Sequence, residues 1–262
     1  MKQLKSTYQD LRNLFEHEIK IKHIAERLKC CNYEEESSKL RQEMEDLDFD
    51  VMGIEKDGEV KGYVKRLELE AGPVKNYKRK FLASELIEES VPLLNAFSAL
   101  HDAQKKFVTH NNKVIGIVTR GDLQKAPVRM WLFGLVTLLE MHLLRVIRNH
   151  FPNDYWKTHL SNGRIRSAEE LFALRKKRNE AIDLTDCLQF CDKRDLILEI
   201  PEIKESMKKQ WGNSAKSLLE STEQIRDKLA HAQDIVIGST WPEVIDLVEN
   251  LECLLEFFEK CE

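Results

Sequence analysis

The 262-residue chain holds only 10 Gly and 6 Pro. So few breakers exclude a protein built mainly of long irregular or low-complexity segments. Its six cysteines are Cys30, Cys31, Cys187, Cys191, Cys253 and Cys261. Adjacent Cys30 and Cys31 suit no disulfide framework in a cytosolic chain. Cys187 and Cys191 stand one helical turn apart, but no His lies at a zinc-like spacing, so buried thiols and no metal are expected. An excess of positive charge is also lacking: 41 Lys and Arg face 45 Asp and Glu, for a net charge of −4. That excludes a basic protein that coats nucleic acid, and any RNA contact must use a local patch. The most apolar run, residues 130–144, is interrupted by Glu140 and His142 and is shorter than the ~20 residues a membrane span needs. The stretch Met1–Ser6 lacks the apolar core of a signal peptide. A cytoplasmic protein with no membrane partner is the expectation.

What is present suits helices and a sizeable core, with 42% hydrophobic and 33% charged residues. The length allows one large domain or two medium ones. Residues 4–18, with Leu4, Leu11, Leu14 and Phe15, read as a leading helix. A second helical stripe, Leu40, Met44 and Leu47, falls in residues 35–47. Two β-rich runs, 51–56 and 59–64, flank Asp57-Gly58, whose residues accept the positive φ of a tight hairpin turn.

The same pattern returns 54 residues later. Asp57-Gly58 becomes Asn111-Asn112, Val60 becomes Val114, Gly62 becomes Gly116, Val64 becomes Val118, Arg66 becomes Arg120 and Glu68 becomes Asp122. The helix expected at 92–103 matches the one before the first hairpin. A fixed-offset repeat predicts two copies of one structural unit. In the second copy a strand ends in Gly116, then Thr119, Arg120 and Asp122. A hydroxyl and a carboxylate at a strand-to-helix turn can grip a ribose, with Arg120 on phosphate. The same residue types also cap a helix, and the spacing alone leaves both readings open.

This repeat resembles a tandem pair of CBS domains, carried by the hairpin and the Gly-x-x-Thr-x-x-Asp stretch from Gly116 to Asp122. The resemblance covers roughly residues 19–125, as repeat 1 (19–74) and repeat 2 (80–125). It implies an α+β pair of βαββα-like repeats that binds an adenine nucleotide (AMP, ADP or ATP) as a regulatory ligand. Thr119 and Asp122 would contact ribose, and Arg120 phosphate. The first copy departs from the pattern, with Lys65 in place of the Thr and Glu68 in place of the Asp. One formed and one degenerate site are expected. The basic stretch Lys75-Asn76-Tyr77-Lys78-Arg79-Lys80 between the copies reads as a solvated linker.

After Pro127 the patterning is helical: residues 128–149, a helix capped by Ser167 and running to about Asp192, one opened by Pro201, residues 214–232, and a last helix beginning at Thr240-Trp241-Pro242-Glu243. Four or five helices with short loops predict an antiparallel bundle over residues 126–262. Within it, Arg226, Asp227 and His231 place a fixed cation, a carboxylate and a neutral-pH proton carrier within six residues. Arg-x4-His also occurs at Arg12–His17 and Arg145–His150. With 15 Arg and 8 His, chance gives about half a match, so context has to choose.

Arg226 to Gln233, late in an all-α bundle, resembles the HEPN family of helical ribonuclease domains. The resemblance implies a homodimer that cuts RNA without metal, with Arg226, Asp227 and His231 as the catalytic set, and a role in stress or phage defence. His231 would move a proton at the ribose 2′-hydroxyl or the leaving oxygen, Arg226 would stabilise charge at phosphorus, and Asp227 would orient them. Positions i and i+5 of one helix lie about 140° apart, so a symmetric pair or a helix break near Ala230 is required. The alternative is a non-enzymatic adenine-nucleotide sensor whose bundle dimerises or binds a partner or RNA.

Overall fold

The computed structural model describes residues 7–261, so Leu4 of the expected leading helix and the Met1–Ser6 stretch lie outside the described residues. The chain divides into two compact units: Leu14–Val128, and Arg129–Glu262 together with the chain up to Asn13.

The chain runs through α1 (Tyr8–Glu18), β1 (Glu26–Arg27), β2 (Cys30–Asn32), α2 (Ser37–Asp46), β3 (Val51–Lys56) and β4 (Glu59–Lys65). It then repeats itself with β5 (Leu86–Glu88), α3 (Asn95–His101), β6 (Lys105–His110) and β7 (Lys113–Thr119). Each copy builds one sheet in the same way. The short first strand pairs parallel with the second, β2 with β3 and β5 with β6. The second then turns back antiparallel on the third, β3 with β4 and β6 with β7. The hairpin strands start and stop 54 residues apart, and even the register irregularity recurs, at Ile54/Glu55 and at Val108/Thr109. Both turns need left-handed backbone, which Asp57 (φ 55) and Gly58 (φ 73) supply in one, Asn111 (φ 49) and Asn112 (φ 62) in the other.

The copies exchange edges. β1, which precedes copy one, pairs antiparallel with β7 of copy two, Glu26 against Ile117 and Arg27 against Gly116. The segment preceding copy two returns the arrangement: Arg79 bridges Tyr63 of β4, with N–H···O bonds of 2.8 and 3.0 Å between the two backbones. Gly62 and Gly116 are the equivalent residues that make this close approach fit. A Cβ on Gly62 would stand 2.3 Å from the Arg79 carbonyl, and one on Gly116 would stand 2.6 Å from the Glu26 carbonyl. The basic segment before copy two is therefore docked, where a solvated linker was expected. The Arg79 backbone completes a ladder, and its guanidinium grips Glu68 through Nε and Nη2 at 2.6 and 2.5 Å. Leu28, Tyr63 and Phe107 are buried together against Phe81 and residues of both sheets. The rings of Tyr63, Phe81 and Phe107 pack on one another with centroids 4.7–5.5 Å apart, Tyr63 stacked on Phe81 and Phe81 edge-on to Phe107, contacts that add to plain burial.

The second unit is helical among its described residues: α4 (Ala126–His150), α5 (Asn162–Lys177), α6 (Phe190–Leu198), α7 (Pro201–Trp211), α8 (Ala215–Ala230) and α9 (Trp241–Cys261). Six helices replace the four or five expected, because the stretch expected to run to Asp192 breaks. Ser161, not Ser167, precedes it; Ser167 lies inside α5 and donates back to the Gly163 carbonyl at 3.1 Å. The helix ends where Asn179 adopts φ 59, a conformation Asn tolerates at a helix C-terminus. Asp192 then caps a new helix, accepting from the Gln189 amide at 3.0 Å. α4 is longer than its apolar run, and by length and composition it could cross a membrane, yet 56% of its apolar window is buried. Trp131, Leu132, Leu135, Leu139, Leu143 and Ile147 of α4 are fully buried, as are Ile245, Leu254, Leu255 and Phe258 of α9.

Candidate functional site

β7 ends at Thr119 and a 3-10 turn, Arg120–Gln124, follows. The turn is closed by Asp122, whose Oδ2 accepts from the Thr119 amide at 2.7 Å and from the Thr119 hydroxyl at 2.9 Å. The structure thus brings Thr119 and Asp122 together as a cap, using the geometry that would also present them to a ribose. Asp122 is only 7% exposed, and its Oδ1 lies 2.8 Å from Lys125 Nζ. Burial opposes the charge on Lys125, but Asp122 and Glu26 outweigh it and hold the ammonium above its usual range. Arg120 points elsewhere. Its Nε donates to the Leu100 carbonyl at 2.8 Å and its Nη2 to that of His101, so it caps the end of α3. Gly116 makes room for β1, as described above.

In the first copy the equivalent 3-10 turn is Arg66–Glu68. Lys65 lies 4.0 Å from Glu68. The Glu68 carboxylate is held below its ordinary range, chiefly by the Arg79 hydrogen bonds. Arg66, unlike its counterpart Arg120, pairs with Asp48 and Asp50 at 3.5 and 3.0 Å. A carboxylate committed to a bidentate Arg is a poor ribose acceptor.

In the bundle, Arg226 is half-buried on α8. Its Nε donates to Glu140 of α4 at 3.3 Å and its Nη1 to Asp227 at 2.6 Å. The Nη2 group has no partner among the described residues. Burial disfavours the charge of Arg226, but Asp227 and Glu140 outweigh it, so the guanidinium is held more firmly protonated than usual. Glu140 also receives Lys193 Nζ of α6 at 2.7 Å, and that side chain is only 9% exposed. Beside this pair, Arg194 donates to Glu223 at 2.6 Å. Burial pushes the Glu223 carboxyl up, against the pull of Arg194.

His231 is the C-cap of α8 and is exposed, with no side-chain partner among the described residues. The backbone stays right-handed through His231 (φ −98, ψ 12) and reverses at Ala232 (φ 52). The break thus falls one residue too late to bring His231 onto the Arg226 face, and the angular separation of about 140° stands. The turn is pinned by Arg129 at the start of α4. Its Nη1 donates to the Gln233 carbonyl at 2.9 Å and its Nη2 to the Lys228 and Leu229 carbonyls at 3.2 and 3.4 Å. Arg129 and Lys193 carry no signal in the sequence. Glu140 carries one, as a charge interrupting the most apolar run.

The other two Arg-x4-His matches are engaged differently. Arg12 donates to the Tyr8 hydroxyl at 2.7 Å and lies 3.6 Å from Glu252. His150 Nδ1 sits 3.0 Å from the Val146 carbonyl of its own helix.

No family model matches the sequence, and no curated protein matches it. Solved structures do. A CBS domain-containing protein of unknown function from Bacillus anthracis is 11% identical, over 43% of this chain and 94% of its own, at a TM-score of 0.37. The CBS domain of the bacterial CNNM/CorC family Mg2+ transporter, solved in complex with ATP, is 11% identical over 46% of this chain and 93% of its own, at a TM-score of 0.35. Protein MJ1004 from M. jannaschii is 13% identical over 90% of this chain and 98% of its own, at a TM-score of 0.37.

Proposed function

We propose that Leu14–Val128 is a CBS pair that binds one adenine nucleotide at its second repeat. The observation that carries the reading is that two copies joined reciprocally through Gly62 and Gly116 carry unlike strand-to-turn corners. Thr119 and Asp122 form a neutral-plus-anionic pair suited to ribose hydroxyls, whereas Glu68 is already committed to Arg79. Lys125 must share or release the Asp122 carboxylate on binding. Calorimetry with AMP, ADP and ATP on the full chain and on Asp122→Ala tests this. Binding that the substitution weakens at least tenfold supports it; an affinity that Asp122→Ala leaves unchanged removes the site.

For the bundle, the reading is a cytoplasmic, metal-independent RNA-cleaving centre made from two copies of the chain, regulated by the nucleotide through a shift between dimer arrangements. Two features support it: His231 is at a helix end with no side-chain partner among the described residues, and Arg226 is held by two carboxylates with one amino group spare. Their angular separation means that one copy alone would not complete a site. In that arrangement Arg226 Nη2 meets the phosphate and His231 of the other copy carries the proton. New RNA ends produced by the full chain and lost in His231→Ala, with the oligomeric state unchanged, are the expected result. One observation favours the non-enzymatic alternative: Arg226 already satisfies two carboxylates, as a structural arginine would. No cleavage by the full chain under any adenine nucleotide would decide for that alternative.

A further inference from the structure

A second feature of the bundle lies apart from Arg226. Lys204 and Lys208, one turn apart on α7, and Lys216 near the start of α8 line an open depression whose other wall carries His159. Neither Lys204 nor Lys208 has an ion-pair partner among the described residues, and Lys216 only reaches Glu220 at 3.8 Å on its own helix. Of the two acidic groups that line the depression, Asp195 is paired and Glu199 is exposed. Asp195 is held by Arg164 at 2.6 Å and Arg194 at 3.0 Å, and Glu199 lies 4.0 Å from His159. Beside this wall Tyr155 is 60% exposed, its ring edge-on to His159 at 5.6 Å. The chain holds it there through two successive non-glycine residues in left-handed backbone, Asn153 (φ 54) and Asp154 (φ 60). Asn and Asp are the non-glycine residues that tolerate this backbone, so the turn presents the ring without a special cost. Unpaired ammonium groups one helical turn apart suit successive phosphates, and an exposed ring beside them suits a base.

We infer that this face holds single-stranded RNA, with phosphates on Lys204, Lys208 and Lys216 and one base stacked on Tyr155. The inference deepens the RNA reading of the bundle and rests on it for the choice of polymer. The depression supplies the local basic patch that a chain of net charge −4 needs. The test uses the full chain carrying His231→Ala, so that binding is read without cleavage, and a labelled single-stranded RNA 12-mer followed by fluorescence anisotropy across a salt series. Tyr155→Ala weakens binding roughly 5- to 150-fold. The double variant Lys204→Gln/Lys208→Gln lowers the slope of log affinity against log salt by about 1.4, about 0.7 for each phosphate left without its ammonium. A matched double variant on α5, Lys176→Gln/Lys177→Gln, leaves both unchanged, and circular dichroism verifies the fold of each. Equal loss in the α5 variant, unchanged binding in the α7 variant, or displacement by polyglutamate as effective as by RNA overturns the inference. Full RNA binding here with no cleavage by the unsubstituted chain would instead sink the nuclease reading and leave this surface standing.

Discussion

Gly62→Ala should destabilise the first unit more than an alanine at another glycine of the same hairpin, Gly58. The added Cβ at position 62 meets the Arg79 carbonyl at 2.3 Å and Lys78 Cγ at 2.8 Å. The nearer of these neighbours is backbone, so the strain is not relieved by turning a side chain. If the 78–80 segment stays, the cost is that of overpacking, about 1–3 kcal/mol. If it peels away, two backbone hydrogen bonds between Tyr63 and Arg79 go with it, at about 1 kcal/mol each. The exposed Arg79–Glu68 pair adds little. Either route gives about 2 kcal/mol. Gly58 has nothing within 4 Å of its notional Cβ and only its φ of +73 to protect it, so Gly58→Ala costs about 1 kcal/mol. Gly116→Ala, with 2.6 Å to the Glu26 carbonyl, should match Gly62→Ala. Urea unfolding of the three full-length variants, followed by tyrosine and tryptophan fluorescence and by far-ultraviolet circular dichroism, reads the ranking. If Gly62→Ala and Gly116→Ala unfold at or above the midpoint of Gly58→Ala, the edge exchange does not hold the repeats.

Three further outcomes concern the bundle. Ala232→Gly relieves a left-handed alanine at the end of α8 and should stabilise the chain by about 1 kcal/mol, read as a raised Tm; an unchanged or lowered Tm would remove the strain argument. Glu140→Ala strands Lys193 in a nearly closed site and should cost about 3 kcal/mol, whereas Lys193→Met/Glu140→Leu together should recover most of it, and equal losses in the single and double variants would contradict the pairing. For Asp195, burial works to raise the carboxyl, but Arg164 and Arg194 outweigh it and hold it below its usual range. A depressed folded value means the contribution is full above the unfolded pKa of about 3.9 and is lost as pH falls through the folded value. The stability gap between the wild type and Asp195→Asn should therefore be constant well above the unfolded pKa and narrow as the pH falls below it; a gap that widens on acidification refutes that sign.

The duplicated hairpins were legible in the sequence because their signals are local. Strand alternation, Asp57-Gly58 and Asn111-Asn112 act within a few residues, and the 54-residue offset repeats them. The edge exchange was not legible. β1 is two residues long, and Arg79 sits in what reads as a charged linker, while the partners of both lie far along the chain. Only the equivalence of Gly62 and Gly116 hinted at them, and a glycine in a strand does not name the backbone that approaches it. The break at Asn179 was hidden by apolar residues on both sides of it that keep helical spacing. At the candidate sites, residue types were readable and commitments were not. The pairing of Thr119 with Asp122 follows from three-residue spacing, but the turning of Arg120 onto α3 does not. Arg226 and His231 stood out, while the groups that restrain them, Glu140 and Arg129, come from a helix about 90 to 100 positions away.

If one adenine nucleotide is held at the Thr119–Asp122 corner, the two repeats are alike in fold and unlike in binding. Amide hydrogen exchange of the full chain with and without saturating ATP addresses that corner residue by residue. Protection should rise across residues 116–124 and stay unchanged across the equivalent residues 62–68. Unchanged exchange in both segments, or protection of 62–68 alone, would contradict the assignment of the nucleotide to the second repeat.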